Sequence, residues 1–199
     1  MKTLIVLLFA FFAVFPAQAQ TPGQPSSHGF RWYVAPVAHV SQVNGETGVF
    51  DGFQAGWIVN DHLTLGFEAN QLESDVEADR PGPEGSPYLY LWYGGLTAEY
   101  GIQAMPRLRL AGRALVGGGE AHWRDSNEDW RFGNREKDED HTTSFVFEPG
   151  LHAAYAINGW MQATAGVSYR YAGGGKSHAV SQDDLRSFSG SIGLRLGRF

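Results

Sequence analysis

Hydrophobic and polar residues alternate through nearly the whole chain after residue 28. In the run 63–70, leucine, phenylalanine and alanine occupy the odd positions, and threonine, glycine, glutamate and asparagine occupy the even ones. Residues 145–157 repeat the pattern. A period of two residues is that of a β-strand, whose successive side chains point to opposite faces. The alternation therefore predicts an all-β protein.

The alternating runs divide into eight predicted strands separated by turn-forming residues. Their predicted bounds are 29–40, 48–59, 62–71, 88–101, 107–117, 144–157, 160–172 and 185–199. Tight connections are expected at 60–61, 103–106 and 158–159, and longer polar ones at 41–47, 72–87, 118–143 and 173–184. Short turns at one end and long loops at the other are typical of an outer-membrane barrel. We find no internal repeat and no second domain.

The choice between a soluble β-sandwich and a membrane barrel depends on which strand face is buried. A soluble sandwich would bury the apolar face. Charged side chains of both signs occur in mid-strand on the polar face, and aromatic residues gather near strand ends, as they do in the interfacial girdles of membrane barrels. Both features favour an eight-stranded antiparallel up-and-down transmembrane β-barrel. An even number of strands would place both termini on the short-turn side, the periplasm.

The pattern of the N-terminal residues predicts an export signal. Lys2 precedes an apolar run from Leu4 to Phe15, and Ala17-Gln18-Ala19 forms an A-x-A cleavage site. The apolar run is shorter than the roughly 20 residues that a spanning helix requires. We predict a signal peptide at 1–19, a short periplasmic segment at 20–28 and an outer-membrane β-barrel at 29–199.

The amino-acid composition and net charge limit the kinds of binding partner that the protein is expected to have. The chain has no cysteine, and removal of the signal peptide leaves 14 basic and 21 acidic residues, a net charge of −7. This balance argues against nucleic-acid binding, which requires clustered lysine and arginine. No cofactor is predicted. The expected partners are outer-membrane lipid and lipopolysaccharide, together with the barrel-assembly machinery during biogenesis; the oligomeric state stays open.

The chain ends on Phe199, a terminal aromatic that predicts an assembly signal read by that machinery. Its register departs from the usual signal, because Phe199 is in phase with Gly197 and Arg195, whereas Leu196 and Leu194 lie in the other phase. A β-bulge near Gly197 would restore the register. Without a bulge, Phe199 would turn inward.

Several short motifs resemble a family of small bacterial outer-membrane β-barrel proteins. They are Tyr93–Tyr100 (YGGLTAEY), Phe147–Gly150 (FEPG), Gly166–Tyr171 (GVSYRY), the triple glycine at 117–119 and the ending Leu196–Phe199 (LGRF). The resemblance covers roughly residues 88–199. More broadly, the chain is similar to the eight-stranded outer-membrane barrels. The resemblance implies a fold and a location, but it brings no catalytic residues.

The polar strand face predicts a network of ion pairs inside the barrel. Its predicted members are Glu68, Glu99, Arg109, Arg113, Glu148, His152, Arg170 and Arg195. The interior of an eight-stranded barrel is just wide enough for side chains to fill, so arginines paired with glutamates would plug it. The alternatives are a narrow pore gated by exchange of Arg–Glu partners, and proton-linked or catalytic chemistry.

The segment 118–143 carries a weak calcium-loop pattern. Asp125, Asn127, Asp129 and Glu136 occupy positions 1, 3, 5 and 12 of such a loop. Position 6, which requires glycine, is Trp130, and no helices flank the segment, so a solvated acidic loop is favoured. Residues 118–143 and 72–87 each have a net charge of −4, which predicts acidic loops that repel polyanions and could share divalent cations with lipopolysaccharide.

Two enzymatic interpretations find little support. A lipid-modifying outer-membrane enzyme would need a His and a Ser two residues apart on one strand face, but His141 and Ser144, and likewise His178 and Ser181, are three apart. The triple glycines at 117–119 and 173–175 lack the helix and the Lys-Ser/Thr of a phosphate loop, so they are interpreted as strand exits. The sequence thus predicts a non-enzymatic structural or surface protein with acidic extracellular loops and a plugged, charged lumen. Lipid-A modification and a narrow gated pore are the alternatives.

Overall fold

The computed structural model describes residues 30–43, 45–74, 88–124, 142–173 and 186–199. The predicted signal peptide and the segment 20–28 lie outside these residues. Eight strands are present, as predicted, and they are β1 (Trp32–Val43), β2 (Glu46–Ile58), β3 (Leu63–Leu72), β4 (Tyr88–Met105), β5 (Leu108–Arg124), β6 (Thr142–Ala156), β7 (Met161–Gly173) and β8 (Ser187–Arg198).

The eight strands form a closed barrel in which each strand pairs antiparallel with the next. Strand β8 returns to β1, and their ladder runs from Trp32 opposite Arg198 to Ser41 opposite Ser189. Closure leaves no unpaired sheet edge along the wall. In the described part of the chain, no helix is long and apolar enough to cross a membrane. The predicted eight-stranded antiparallel barrel is confirmed.

The two ends of the barrel differ in their connections. At one end, called the turn end below, the connections are residues 59–62, 106–107 and 157–160. The side-chain oxygen of Asn60 accepts hydrogen bonds from the backbone N–H groups of His62 and Leu63, both at 2.8 Å. The opposite end, the loop end, has the connections around 73–87, 125–141 and 174–186.

One connection at the loop end is shorter than predicted. The predicted loop 41–47 is wrong, because β1 and β2 remain paired as far as Val43 and Glu46. Gly45 has a φ of 78°, in the left-handed region that glycine adopts without strain. The sequence Asn44-Gly45 is itself a strong two-residue hairpin signal, although polar residues on both sides give the segment the composition of a longer loop.

Strands β4 and β5 each extend further than predicted at their C-terminal ends, to Met105 and Arg124. The triple glycine 117–119 does not mark a strand exit, since it lies inside β5 and pairs with residues 93–95 of β4. A Cβ atom on Gly117 would lie 2.0 Å from the carbonyl oxygen of Gly94, so these strands approach too closely for a side chain there. Towards the turn end, a register shift between Gln103 and Met105 carries β4 to the turn at 106–107.

The alternation of the sequence becomes an alternation between lumen and outer wall. In β3, Phe67 is half exposed on the outside of the barrel, while its neighbour Glu68 is 1% exposed inside. In β6, likewise, Leu151 lies on the outside of the barrel and Glu148 lies inside. A soluble sandwich would bury the apolar face, whereas this barrel buries the polar one. The outer wall is accordingly apolar.

Candidate functional site

Glu68 on β3 is the centre of a hydrogen-bonded group in the middle of the lumen. Its carboxylate accepts from Arg113 of β5, from Asn70 Nδ2 at 2.9 Å and from Gln54 Nε2 at 3.2 Å. The Nε2 atom of His39 on β1 lies 3.4 Å from Glu68 Oε1. The buried carboxylate is thus surrounded by donors from four strands, as a buried charge requires.

Glu99 on β4 forms a second group that joins the first. It accepts from Arg195 of β8, and its Oε1 atom lies 3.6 Å from Arg113 Nε and 3.5 Å from His152 Nδ1. Arg195 Nη2 also lies 3.4 Å from Gln54 Oε1 and 3.2 Å from His152 Nδ1. Two carboxylates and two guanidiniums therefore alternate across the lumen. We call this set, together with its neutral and histidine neighbours, the charged belt; it consists of His39, Gln54, Glu68, Asn70, Glu99, Arg113, His152 and Arg195.

An apolar cluster lies in the lumen on the loop side of the charged belt. Its members include Val43, Phe50, Leu72, Leu89, Leu91, Tyr93, Leu115, Ala121, Val146 and Ala172. Arg170 lies among them, with its Cζ atom 4.9 Å from the ring centroid of Phe50 and 5.0 Å from that of Tyr93. This guanidinium also donates to Ser41 Oγ at 3.1 Å. A cation held between two aromatic faces and a hydroxyl links β7 to β1, β2 and β4.

A second apolar cluster lies in the lumen on the turn side of the charged belt. Tyr33, Ala35 and Ile58 are buried there, and Val37 and Phe199 pack against them. The ring of Tyr33 lies under Arg195, whose Cζ is 4.3 Å from the ring centroid. The β1–β8 ladder continues to Arg198 without a bulge near Gly197. Phe199 therefore turns inward, as the sequence predicts for a strand without a bulge.

The turn end carries its own polar contacts. Arg109 of β5 reaches the β2–β3 turn and donates to the backbone carbonyl oxygens of Asp61 and His62, the latter at 2.7 Å. Arg31 donates to Asp61 Oδ1 at 2.9 Å. This hydrogen bond, together with the positive charge of Arg31, lowers the pKa of the exposed Asp61 carboxyl below its ordinary value. These contacts tie the turn to the strands on both sides of it.

The barrel has the fold of small outer-membrane proteins of known structure. Neisserial surface protein A superimposes with a TM-score of 0.61 at 17% identity, covering 88% of this chain and 100% of that protein. The N-terminal β-barrel domain of Pseudomonas aeruginosa OprF gives a TM-score of 0.50 at 14% identity, covering 85% of this chain and 99% of that domain. No protein-family model and no curated protein sequence matches the chain.

This is the fold of an eight-stranded outer-membrane β-barrel. In outer-membrane barrels of this fold the wall faces hydrocarbon, an environment in which exposed leucines, valines and aromatic residues are well solvated. Inward-facing carboxylates and guanidiniums have no contact with hydrocarbon in such a barrel. In a barrel of this fold, charged side chains in mid-strand are therefore expected on the inward, buried face.

The lumen brings together five of the eight predicted network residues: Glu68, Glu99, Arg113, His152 and Arg195. The other three make contacts outside the charged belt. Glu148 accepts from Ser168 Oγ at 2.6 Å, Arg170 lies in the loop-side cluster, and Arg109 binds the β2–β3 turn. Residues on the inward face of the strands all lie in the lumen, but their position along the barrel axis decides whether their side chains come into contact.

Three polar residues of the charged belt were not proposed as site residues from the sequence. His39 and Gln54 lie in the inward phase of β1 and β2, and Asn70 lies two residues beyond Glu68. Alternation alone would have placed all three inside. A buried carboxylate needs neutral hydrogen-bond donors as well as charged ones.

The remaining candidates fall mostly outside the described residues. The calcium-loop residues Asp125, Asn127, Asp129 and Glu136 do, and so do His141, His178 and Ser181. Ser144, which is described, is buried on the inner face of β6. Within the described ranges, no three His, Asp or Glu side chains are grouped so that they could hold a metal ion.

Proposed function

We propose that the chain is an integral protein of the bacterial outer membrane with a non-enzymatic, structural or surface role. Its lumen is closed by its own side chains, so it acts through the outside of the barrel and through its loops. The observation that carries the proposal is the charged belt, to which seven of the eight strands contribute residues. Apolar clusters lie on both sides of the belt.

The closed lumen is proposed on energetic grounds. Removing one partner from a buried ion pair leaves an uncompensated charge, which costs about 3–5 kcal/mol. Opening a continuous aqueous path would require several such contacts to break together. The interior of a barrel of this size is filled by side chains rather than by solvent. We therefore favour a plug over a gated pore.

The proposed orientation places the turn end in the periplasm and the loop end outside the cell. Trp32, the first residue of β1, and Arg198, the last residue of β8, both lie at the turn end. Short connections are periplasmic in outer-membrane barrels, and the longer ones face outwards. Two of the three long connections, 73–87 and 125–141, are acidic in sequence, which supports contact with lipopolysaccharide through shared divalent cations rather than with polyanionic partners.

The membrane placement is tested by heat-modifiability. Outer-membrane fractions are run on SDS gels with and without boiling, and a folded barrel should resist SDS and change its mobility when boiled. Recovery of the protein in the soluble periplasmic fraction, without a mobility shift, would overturn the membrane placement.

The closed lumen and the absence of catalysis need separate experiments. Planar-bilayer recordings of the purified protein should show little steady conductance, with a large porin as positive control. A large open state in most traces would overturn the plug. The mass spectrum of lipid A should be unchanged by expression of the protein. A new lipid A species that disappears when one histidine is substituted would show an enzyme instead.

A further inference from the structure

The outer wall of the barrel has a groove across β4, β5, β6 and β7. It has a volume of about 570 Å³ and an almost wholly apolar lining. The small residues Gly112, Ala153 and Ala165 form its floor, and Ile102, Leu151 and Val167 stand exposed around them. The groove lies in the half of the wall nearer the turn end, since Ile102 pairs with Leu110 two residues into β5.

Barrel closure does not require this groove. A Cβ atom added to Gly112 would meet nothing nearer than the carbonyl oxygen of Tyr100 at 4.0 Å, in contrast to Gly117, whose Cβ would clash with β4 at 2.0 Å. A larger side chain at Gly112 would therefore fit the fold and fill the depression. Ala153 pairs with Ala165 on β7 and with Leu110 on β5, so two small residues lie side by side on β6 and β7, and Gly112 is two residues beyond Leu110 on β5.

A cation lies at the turn-end side of the groove. Arg107 is exposed in the β4–β5 turn, three residues before the groove residue Leu110, a distance of about 10 Å along an extended chain. Tyr155, which pairs with Leu108, is also exposed at this level of the wall. An apolar groove with an exposed arginine in the adjoining turn matches a phospholipid, whose acyl chains are apolar and whose phosphate is an anion.

We propose that the groove is a binding site for one phospholipid of the leaflet at the turn end. One acyl chain lies over Gly112, Ala153 and Ala165, and the phosphate binds Arg107. The proposal rests on the membrane placement of the barrel. A second copy of the chain fits the groove poorly, because in a two-fold symmetric dimer the same concave surface would face itself across a void.

The test compares the same amino-acid replacement at a position in the groove and at a position elsewhere on the barrel. Ala153→Leu fills the floor, and Ala69→Leu makes the same change on the outward face of β3. Arg107→Gln removes the proposed phosphate ligand, and Arg198→Gln removes an exposed arginine at the end of β8. Each full-length protein is refolded in vesicles of phosphatidylethanolamine and phosphatidylglycerol, released into detergent, and examined for retained phosphatidylglycerol by native mass spectrometry.

Wild type, Ala69→Leu and Arg198→Gln should retain one phosphatidylglycerol. Retention should fall about tenfold in Ala153→Leu, because the close contacts to the acyl chain are lost, and should also fall in Arg107→Gln. Equal retention in all five proteins would overturn the proposal. A wild-type dimer that Ala153→Leu dissociates would also overturn it, in favour of a second copy.

Folding is monitored in the same samples by the mobility shift on boiling. Should Ala153→Leu fail to show the shift, Ala165→Leu fills the floor from the neighbouring strand. Retention of lipid that is unaffected by any groove substitution, in proteins that still shift, would reject the lipid site while leaving the membrane barrel intact.

Discussion

Arg113 on β5 donates to the carboxylate of Glu68 on β3, although β4 separates the two strands in the wall. The contact therefore crosses the lumen rather than following the ladder. Both side chains are almost completely removed from solvent. Such a pair holds the wall together from inside, in addition to the backbone hydrogen bonds around the circumference.

The loss of Arg113 should destabilise the barrel strongly. Arg113→Met leaves Glu68 buried without its guanidinium, and we expect the free energy of unfolding in urea to fall by about 3–5 kcal/mol. Arg198→Met, at an exposed strand end, should stay within about 0.5 kcal/mol of wild type.

A double variant separates charge from packing. Arg113→Met combined with Glu68→Gln should recover part of the loss, because no uncompensated carboxylate remains. If Arg113→Met and Arg198→Met unfold at the same urea concentration, the contact with Glu68 contributes nothing to stability.

The number of strands and the assignment of side chains to the two strand faces follow from the sequence, because both depend on a local period of two residues. Glu68 and Phe67 are neighbours in the chain, so their opposite faces can be assigned without knowing any partner. Strand ends were less predictable. Gly117 is a poor strand residue by itself, and only the close approach of the Gly94 carbonyl explains its position inside β5.

Contacts across the lumen could not be read from the sequence. They depend on the register of every ladder between two strands, and an error of a few residues at each strand end changes the height at which side chains meet. Arg109 and Arg113 illustrate the effect. They share one face of β5, yet Arg113 binds Glu68 in the charged belt, whereas Arg109 binds the carbonyl oxygens of the β2–β3 turn.

Gly56 should be intolerant of a side chain because Tyr33 occupies the space above it. A Cβ atom on Gly56 would lie 2.5 Å from the ring of Tyr33. Gly56→Val is expected to displace this ring and lower the free energy of unfolding by about 1–3 kcal/mol. Gly190→Val is the control, since a Cβ there meets nothing within 4 Å. Equal unfolding midpoints for the two variants would contradict the packing of Tyr33 over Gly56.

The titration of Asp61 should depend on Arg31. Because the folded-state pKa of Asp61 is lowered, the stabilisation is present above the unfolded value of about 4 and is lost as the pH falls through the folded value. Arg31→Gln should raise the pKa of Asp61 measured by carboxyl-carbon NMR, and salt should have a similar, weaker effect. Arg198→Gln should leave the titration unchanged. A titration that is identical in wild type and Arg31→Gln would show that the ion pair does not persist in solution.

Phe199 can act by packing or as an assembly signal, and the two roles predict different results for Phe199→Ala. The inward side chain packs against the cluster of Tyr33, Ala35 and Ile58, so a packing role lowers the free energy of unfolding of the refolded protein by about 1–3 kcal/mol. A signal role instead slows assembly in cells and leaves the unfolding of the purified barrel unchanged.

Phe188→Ala is the matched control for both measurements, because Phe188 lies on the same strand with its side chain exposed on the outer wall. We expect Phe199→Ala to show both effects, since the inward register that buries the ring does not prevent its recognition before β8 closes onto β1. Normal assembly in cells, combined with reduced stability of the purified protein, would show that Phe199 is a core residue and that the assembly signal lies elsewhere. Phe199→Leu should then restore most of the stability, because a leucine side chain refills much of the same apolar space.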